Sequence, residues 1–376
     1  MPHETFATRF GLRPIAYGRR GMVASANPLA SLAGVRMLAQ GGNAVDAVVA
    51  AAAAVGVAEP YMSGLAGCGT LMLTRPGETP RALVFLGRAP AAATPDRFGA
   101  TPPDGGCISV AVPGNLAGWA RVLADHGTMS LAQVLEPAIE YAEYGVPFTP
   151  FDRTEFQELL PRLTPEASRV YLHDGQVPAV GSLLRQPDLA ATFRAIAKDG
   201  PDYLYGGPLG RKIAETMREG GGLITEADLR AYPSKLTWSR PLETSYRGVA
   251  VFASPIPTGG VQVLETLRIL DGFDVGGAEH LGPEHVGLVA EAGRAARMDT
   301  DRYVGDPDHV PDRTEQVLSV QHVEELRREV ADRVGASRAG GRVAAGGAGG
   351  TSASTTHLAA ADASGLAVNL THRLGS

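Results

Sequence analysis

The sequence predicts a large α/β protein, and three observations carry that expectation. The chain has 376 residues with 44% hydrophobic side chains, enough apolar mass for a large core. Hydrophobic periodicity switches repeatedly between short strand-like runs and longer helical ones. The 47 glycines and 27 prolines punctuate those runs with frequent turns. Length alone would allow two or three domains, but α/β units of this size often form one. A formal net charge of -6, with no dense Lys/Arg block, argues against nucleic acid as a partner. Cys68 and Cys107 lack metal-ligand spacing and read as buried small apolar side chains.

Taken in order, "MVASA" reads as a short strand. Asn27 then reads as an N-cap, with Pro28 at the first helical position. Gly41-Gly42 ends that helix and Asn43 caps the next, "AVDAVVAAAAAVGVAEP", which Pro60 closes. This alanine-rich run is too short and too weakly apolar for a membrane span, so it predicts a buried helix. The N-terminal stretch "MPHETFATRFGLRPIAYGRRG" has no apolar core of signal-peptide type. No membrane partner is therefore expected, and the expected location is cytoplasmic. "TLMLTR" and "ALVFLGR" form a hairpin around "PGET". From about Val112 to Tyr232 the chain reads as helices, followed by the strand in "YRGVAVFASPIPTGG". The stretches "VQVLETLRILDGF" and "PEHVGLVAEAGRAARMDTDRYVGDPD" are helical again.

Residues 335–354 lack large apolar side chains apart from Val343. They predict a flexible Gly/Ala/Ser linker that cannot repay its ordering entropy by burial. "THLAAA" and "LAVNLTHRL" then form a hairpin around "DASG", which must pair with a larger sheet. The expected organisation is a main region over 1–334, the linker over 335–354 and this hairpin over 355–376.

The junction of linker and strand carries a chemical possibility. Cleavage between Ser354 and Thr355 would leave a hydroxyl and a free α-amine on Thr355. That amine titrates at about 8 in a model peptide, and so serves as general base toward its own hydroxyl. This is the threonine version of N-terminal nucleophilic catalysis. Taken alone, a threonine pair is a weak signal, and the pattern favours β-formers opening an edge strand.

A resemblance extends over nearly the whole chain. "GMVASANPLASLAGVRMLAQGGNAVDAVVA", "GRAPAAATPDRF", "VPGNLAGW", "HGTMSLAQVLEPAIEYAEYG", "GPDYLYGGPLGRKIAETMREGGGLITEADLRAYPS", "SYRGVAVFASPIPTGG" and "MDTDRYVGDPD" resemble the gamma-glutamyltransferase family, in that family's order. "TTHLAAADASGLAVNLT" resembles the start of its small subunit. The resemblance implies a four-layer αββα sandwich of the N-terminal-nucleophile hydrolases. It also implies self-cleavage at Ser354/Thr355, with Thr355 as nucleophile. The small subunit becomes the partner in a heterodimer, a small amide or acyl compound is the substrate, and no cofactor or metal is required.

The sequence departs from the family pattern in three places. Only 22 residues follow Ser354 (376 minus 354), whereas the family's small subunit continues well beyond. The chain is expected to be a fragment or a degenerate, inactive homologue acting as a binding partner. Where the family carries an arginine that clamps a substrate carboxylate, this chain has Leu86. Arg88, two residues on, is either a replacement clamp or a structural arginine paired with a helix end. A second hydroxyl residue that supports the nucleophile corresponds to Arg373, which cannot accept its hydrogen bond, while Thr371 is retained nearby. These departures resemble the "GRAP" branch, whose members include acylases and biosynthetic enzymes. The substrate is thus a γ-glutamyl amide such as glutathione, or another acyl amide. His357 shares the strand face of Thr355 and reads either as a catalytic group or as a hydrogen-bonded packing residue. Asp299, Asp301 and Asp306 cluster in sequence, but their spacing fits no metal-binding loop, and "GDPD" reads as a turn.

Overall fold

The structure is a computed structural model that describes residues 16–98, 105–306, 308–338 and 354–375. Strand β1 (Gly21–Ser25) leads to Asn27, whose side chain accepts from the Leu29 N–H and caps helix α1 (Pro28–Ala39). Asn43 and Asp46 form a capping box at the start of α2 (Ala44–Ala58), as the sequence predicts. Every residue of α2 is buried, which explains its composition. A helix packed on all sides needs no polar stripe, and alanines let its neighbours approach closely. Strands β2 (Cys68–Thr74) and β3 (Arg81–Phe85) follow as an antiparallel hairpin. The middle of the chain is mainly helical, including α3 (Asn115–His126), α4 (Leu131–Tyr144) and α5 (Pro187–Asp199).

Short β4 (Trp238–Ser239) precedes a hairpin of β5 (Leu242–Tyr246) and β6 (Val249–Ala253). Its turn residues Arg247 and Gly248 both have positive φ, 52° and 77°, the twist that suits a two-residue hairpin. Among the described residues three longer helices come next, α6 (Gly260–Leu270), α7 (Pro283–Tyr303) and α8 (Val320–Arg338), with a single turn at Thr314–Val317 between the last two. The chain closes with β7 (Ser354–Asp362) and β8 (Ala367–Gly375).

The central sheet has six strands in the order β1-β7-β8-β2-β3-β4, with antiparallel neighbours throughout. The C-terminal hairpin is thus inserted between strands from the first quarter of the chain. Strand parity divides its side chains. Thr356, Leu358 and Ala360, with Val368, Leu370 and His372, are buried against the helical layer that α2 leads. Burial of a leucine such as Leu358 or Leu370 is worth about 1.5–3 kcal/mol, so this face holds the hairpin in place. Among the described residues nothing covers the other face at Thr355, His357 and Asn369, which are exposed.

The hairpin turn has its own anchor. Asp362 Oδ2 accepts the Ala44 N–H at the N-terminus of α2, at 2.9 Å. Burial works to raise this carboxyl. The hydrogen bonds from Ser364 and Ala44 outweigh it and hold the group below the ordinary carboxylate range. The positive end of the helix dipole favours the same charge.

Helices α6, α7 and α8 build a second, smaller core around Ile269, Leu288, Ala292, Val323 and Val330. Helix α8 has no counterpart in the sequence expectations. It buries only a thin stripe, Val323, Leu326, Val330 and Val334, inside a strongly charged stretch. It also runs to Arg338, through the first four residues of the expected linker. Residues 339–353 of that linker lie outside the described residues, and Ser354, its expected last residue, already belongs to β7. Strand β5 was likewise unforeseen. Both cysteines are half-buried rather than fully buried. Among the described residues, no helix is long and apolar enough to cross a membrane.

Candidate active site

Thr355 is the second residue of β7, on the uncovered face of the sheet, and it is exposed. Thr356 is 3% exposed, and its hydroxyl has no hydrogen-bond partner. Of the two threonines, therefore, only Thr355 presents its hydroxyl to a reactant. The pairing with β8 is irregular at this point. His372 pairs with Thr356 and Gly375 pairs with Ser354, so Arg373 and Leu374 together face the single residue Thr355. Such a bulge locally bends the strand and re-aims its side chains.

The bulge is held from below by glycines. A Cβ on Gly67 would come within 2.2 Å of the Arg373 carbonyl oxygen. The Gly67 carbonyl accepts the N–H groups of Gly114 and Asn115, at 2.8 and 2.9 Å. Asn115 Nδ2 in turn donates to the Gly64 carbonyl at 2.7 Å. The "GLAG" and "VPGN" stretches thus pack on each other beneath the strand end beside Thr355.

A polar band crosses the open face next to it. His357 and Thr371 are directly opposed on β7 and β8, and Nδ1 of the histidine lies 2.8 Å from Oγ1 of the threonine. Thr371 is paired in turn with Thr70 on β2, whose hydroxyl donates to Ser254 Oγ at 2.9 Å. That contact brings the turn after β6 onto the same face. Next to it lies a cleft of ≈ 220 Å³ lined by Val84, Leu86, Arg88, Lys235, Pro255 and Asp306, among others. Thr355 and the cleft are three strand steps apart on one face, roughly 14 Å at ordinary strand spacing.

Tyr232 fixes the cleft floor by donating its hydroxyl to the Leu86 carbonyl at 2.7 Å. Tyr205 stacks on it with centroids 5.9 Å apart and donates to the Pro113 carbonyl. Burial pushes both phenols up, so they stay donors at any working pH. Arg88 lines the cleft beside Leu86, but its guanidinium donates to Asp308 Oδ2 at 2.5 Å. That bond, with the guanidinium's charge, holds the Asp308 carboxyl below its ordinary range.

The family model for gamma-glutamyltranspeptidase matches residues 30–376. The chain belongs to the gamma-glutamyltranspeptidase family. It is 36% identical over 375 residues to the acylase ACY 1 proenzyme of Pseudomonas sp. (strain V22), covering 96% of this chain and 66% of that protein. The glutathione hydrolase proenzyme of Bacillus subtilis (strain 168) is 35% identical over 330 residues, 84% of this chain and 55% of that protein. Among solved structures, the cephalosporin acylase from Bacillus halodurans superposes with a TM-score of 0.84 at 31% identity, covering 96% of this chain and 67% of that one. The Helicobacter pylori gamma-glutamyltranspeptidase superposes at 0.80 with 27% identity, over 84% and 93% of the two chains. The chain thus spans about two-thirds of the acylase proenzyme and about half of the glutathione hydrolase. The fold of these neighbours is the N-terminal-nucleophile hydrolase sandwich expected from the sequence.

Within this family member, the sequence-predicted residues fall into two groups. Thr355, Arg373, Thr371 and His357 come together on the open face around the bulge. Arg88 is set apart in the cleft, tied to Asp308 in the loop after α7. The aspartates of "MDTDRYVGDPD" separate. Asp301 pairs with Arg297, and Asp306 turns the loop by accepting the Asp308 N–H. Asp299 faces His322 on α8. Sequence reasoning missed Thr70, Ser254 and the bulge itself. Only pairing register reveals them, and register is not legible in a single strand.

Proposed function

We propose that this protein is a self-processing threonine amide hydrolase or acyl-transferase, with Thr355 as nucleophile. The carrying observation is that Thr355 is the exposed member of its threonine pair, placed at a strand start on the open face of the central sheet and opposite a bulge. Proenzyme names among its relatives support processing of the chain by cleavage.

In processing, Thr355 Oγ1 attacks the Ser354 carbonyl carbon. The Ser354–Thr355 C–N bond breaks and the nitrogen takes the hydroxyl proton, leaving an ester. That step frees the α-amine, and water then hydrolyses the ester, releasing the Ser354 carboxylate and restoring the Thr355 hydroxyl. In turnover the amine accepts the Oγ1 proton as Oγ1 attacks the substrate amide carbon. The leaving amine departs protonated, and water or an amine acceptor resolves the acyl ester. Thr371 and His357 order the neighbouring surface through their mutual hydrogen bond. Arg373, opposite Thr355, supplies positive charge beside the reacting group.

For the substrate, the cleft favours an acyl group with a weakly polar remote end over γ-glutamyl. A γ-glutamyl donor brings an α-carboxylate that would meet Leu86, and the nearby Arg88 is already paired with Asp308. An unmatched carboxylate in such a site carries a desolvation cost with nothing to offset it. The test begins with mass spectrometry of protein made from the complete reading frame. Two chains are expected, one beginning at Thr355, and Thr355→Ala should remain whole. Turnover of γ-glutamyl-p-nitroanilide is then compared with that of neutral acyl anilides. Cleavage at the same bond in the alanine variant overturns the nucleophile assignment. Faster γ-glutamyl turnover overturns the substrate preference.

A further inference from the structure

Outside the central sheet, Glu265, Asp299 and His322 converge from α6, α7 and α8. One ligand-type atom from each lies within 4.8 Å of the other two. Glu265 is 0% exposed, and neither of its carboxylate oxygens has a hydrogen-bond partner. Its Oε1 sits 3.6 Å from His322 Nε2, which is hydrogen-bonded to Asp299 Oδ2. The contrast within the same molecule is sharp. Asp46 is equally buried, yet it accepts from the N–H groups of Asn43, Thr128 and Met129 and from the Thr128 hydroxyl. A buried carboxylate is normally matched in that way, because an unpaired one is strongly unfavourable.

We propose that Glu265, Asp299 and His322 form a binding site for a divalent first-row metal ion of the Zn²⁺ type. Two carboxylate oxygens and one imidazole nitrogen are a donor set such ions accept. Metal–ligand bonds of about 2.0–2.2 Å place tetrahedral ligand atoms roughly 3.3–3.5 Å apart, close to the observed Glu265–His322 separation. On binding, the proton shared by His322 and Asp299 leaves to solvent. The Nε2 lone pair and both carboxylates then turn to the ion, and water takes the fourth position. Asp299 and His322 keep partial exposure, 13% and 24% of their side chains, which gives the ion a way in.

The site is structural in character and acts through the helices it joins. Helix α6 begins just after the Ser254–Pro257 turn, and α7 ends just before Asp306 and Asp308. The ion would therefore staple the two helices whose flanking segments, Pro255–Pro257 and Asp306, line the cleft. The competing occupant is a proton. Burial, together with the Asp299 carboxyl, pushes Glu265 up to about 9, so a protonated Glu265 would also relieve the unpaired charge.

Metal titration separates the two. The protein is stripped with a chelator, desalted and titrated with Zn²⁺ by calorimetry, with bound metal counted by elemental mass spectrometry. The expected result is one equivalent bound and a raised thermal midpoint. Glu265→Gln and His322→Gln should each weaken binding by about tenfold or more. Glu265→Gln removes the charge at constant shape, so without metal it should be at least as stable as wild type. Absence of saturable Zn²⁺ binding overturns the proposal. So does binding that both folded variants, checked by circular dichroism, retain undiminished.

Discussion

Replacing His372 with leucine should remove an acid-sensitive term built into the sheet. His372 lies on β8, on the face opposite Thr355, at 0% exposure with neither ring nitrogen hydrogen-bonded. It meets the Trp119 ring edge-on, with centroids 6.2 Å apart. Burial, with a smaller contribution from His357, lowers its titration to about 3. In the unfolded chain a histidine titrates near 6.5. The folded value lies below the unfolded one, so the unfolded chain gains the proton first. Stability is complete above about pH 6.5 and is lost progressively as pH falls toward 3. At pH 5 the unfolded histidine is almost fully charged and the native one almost fully neutral. The cost is about 2 kcal/mol, and it hardly changes for any folded value below about 4. Urea unfolding of wild type and His372→Leu, followed by tryptophan fluorescence at pH 7.5 and 5.0, isolates the term. Other groups titrate alike in both proteins and cancel. The stability gap should shift in favour of the variant by about 2 kcal/mol on acidification. A gap that does not change with pH refutes the reasoning, because His372 would then be solvated or paired in the native state.

Four further outcomes follow from the same geometry. Thr356→Val should leave processing at Thr355 intact, since the Thr356 hydroxyl is buried away from the reacting face. Uncut protein in mass spectrometry would contradict that. Asp308→Asn should release Arg88 and lower KM for γ-glutamyl-p-nitroanilide by about tenfold relative to a neutral acyl anilide, the scale of one charged hydrogen bond. An unchanged ratio would show that Arg88 does not face the donor. Gly67→Ala should destabilise the fold by more than about 2 kcal/mol and slow processing, because its Cβ would strike the Arg373 carbonyl. A normal urea midpoint with normal cleavage would count against the glycine support of the bulge. Asp362→Asn should cost about 1 kcal/mol at neutral pH through loss of charge at the α2 N-terminus, read by urea unfolding. That difference should shrink as pH falls through the depressed carboxyl range of Asp362, where wild type loses the charge as well.

The parts of the fold legible in the sequence are those with strong local chemistry. Asn27-Pro28 and the Asn43/Asp46 box mark helix starts because capping involves residues only a few positions apart. The β2–β3 and β7–β8 hairpins are legible because the turn and the alternating strands adjoin. Helix α8 was hidden because its three buried valines and one leucine sit among so many charges that the stretch has little apolar signal. The cluster of Glu265, Asp299 and His322 was hidden for another reason. Its members are 34 and 23 residues apart in sequence (299 minus 265 and 322 minus 299), and only the packing of three helices joins them. Asp299 drew notice as one of a local group of acids. Its actual companion is a histidine on the helix that the sequence did not reveal.

The threonine pair shows the same boundary at the candidate site. Sequence pattern alone treats Thr355 and Thr356 as equivalent, since both favour strands and either hydroxyl is a competent nucleophile in principle. Resemblance selects Thr355 by motif position, without a physical reason. Strand parity supplies one. Leu358 and Ala360 must face α2 for the hairpin to be buried, and that fixes Thr356 inward and Thr355 outward. A one-residue slip would exchange the two hydroxyls and expose Leu358 and Leu370, forfeiting several kcal/mol of burial. The bulge absorbs an extra residue of β8 at this point without disturbing that parity. The register that holds the hairpin in the sheet is therefore also what presents Thr355, and a variant that alters the register should lose stability and processing together.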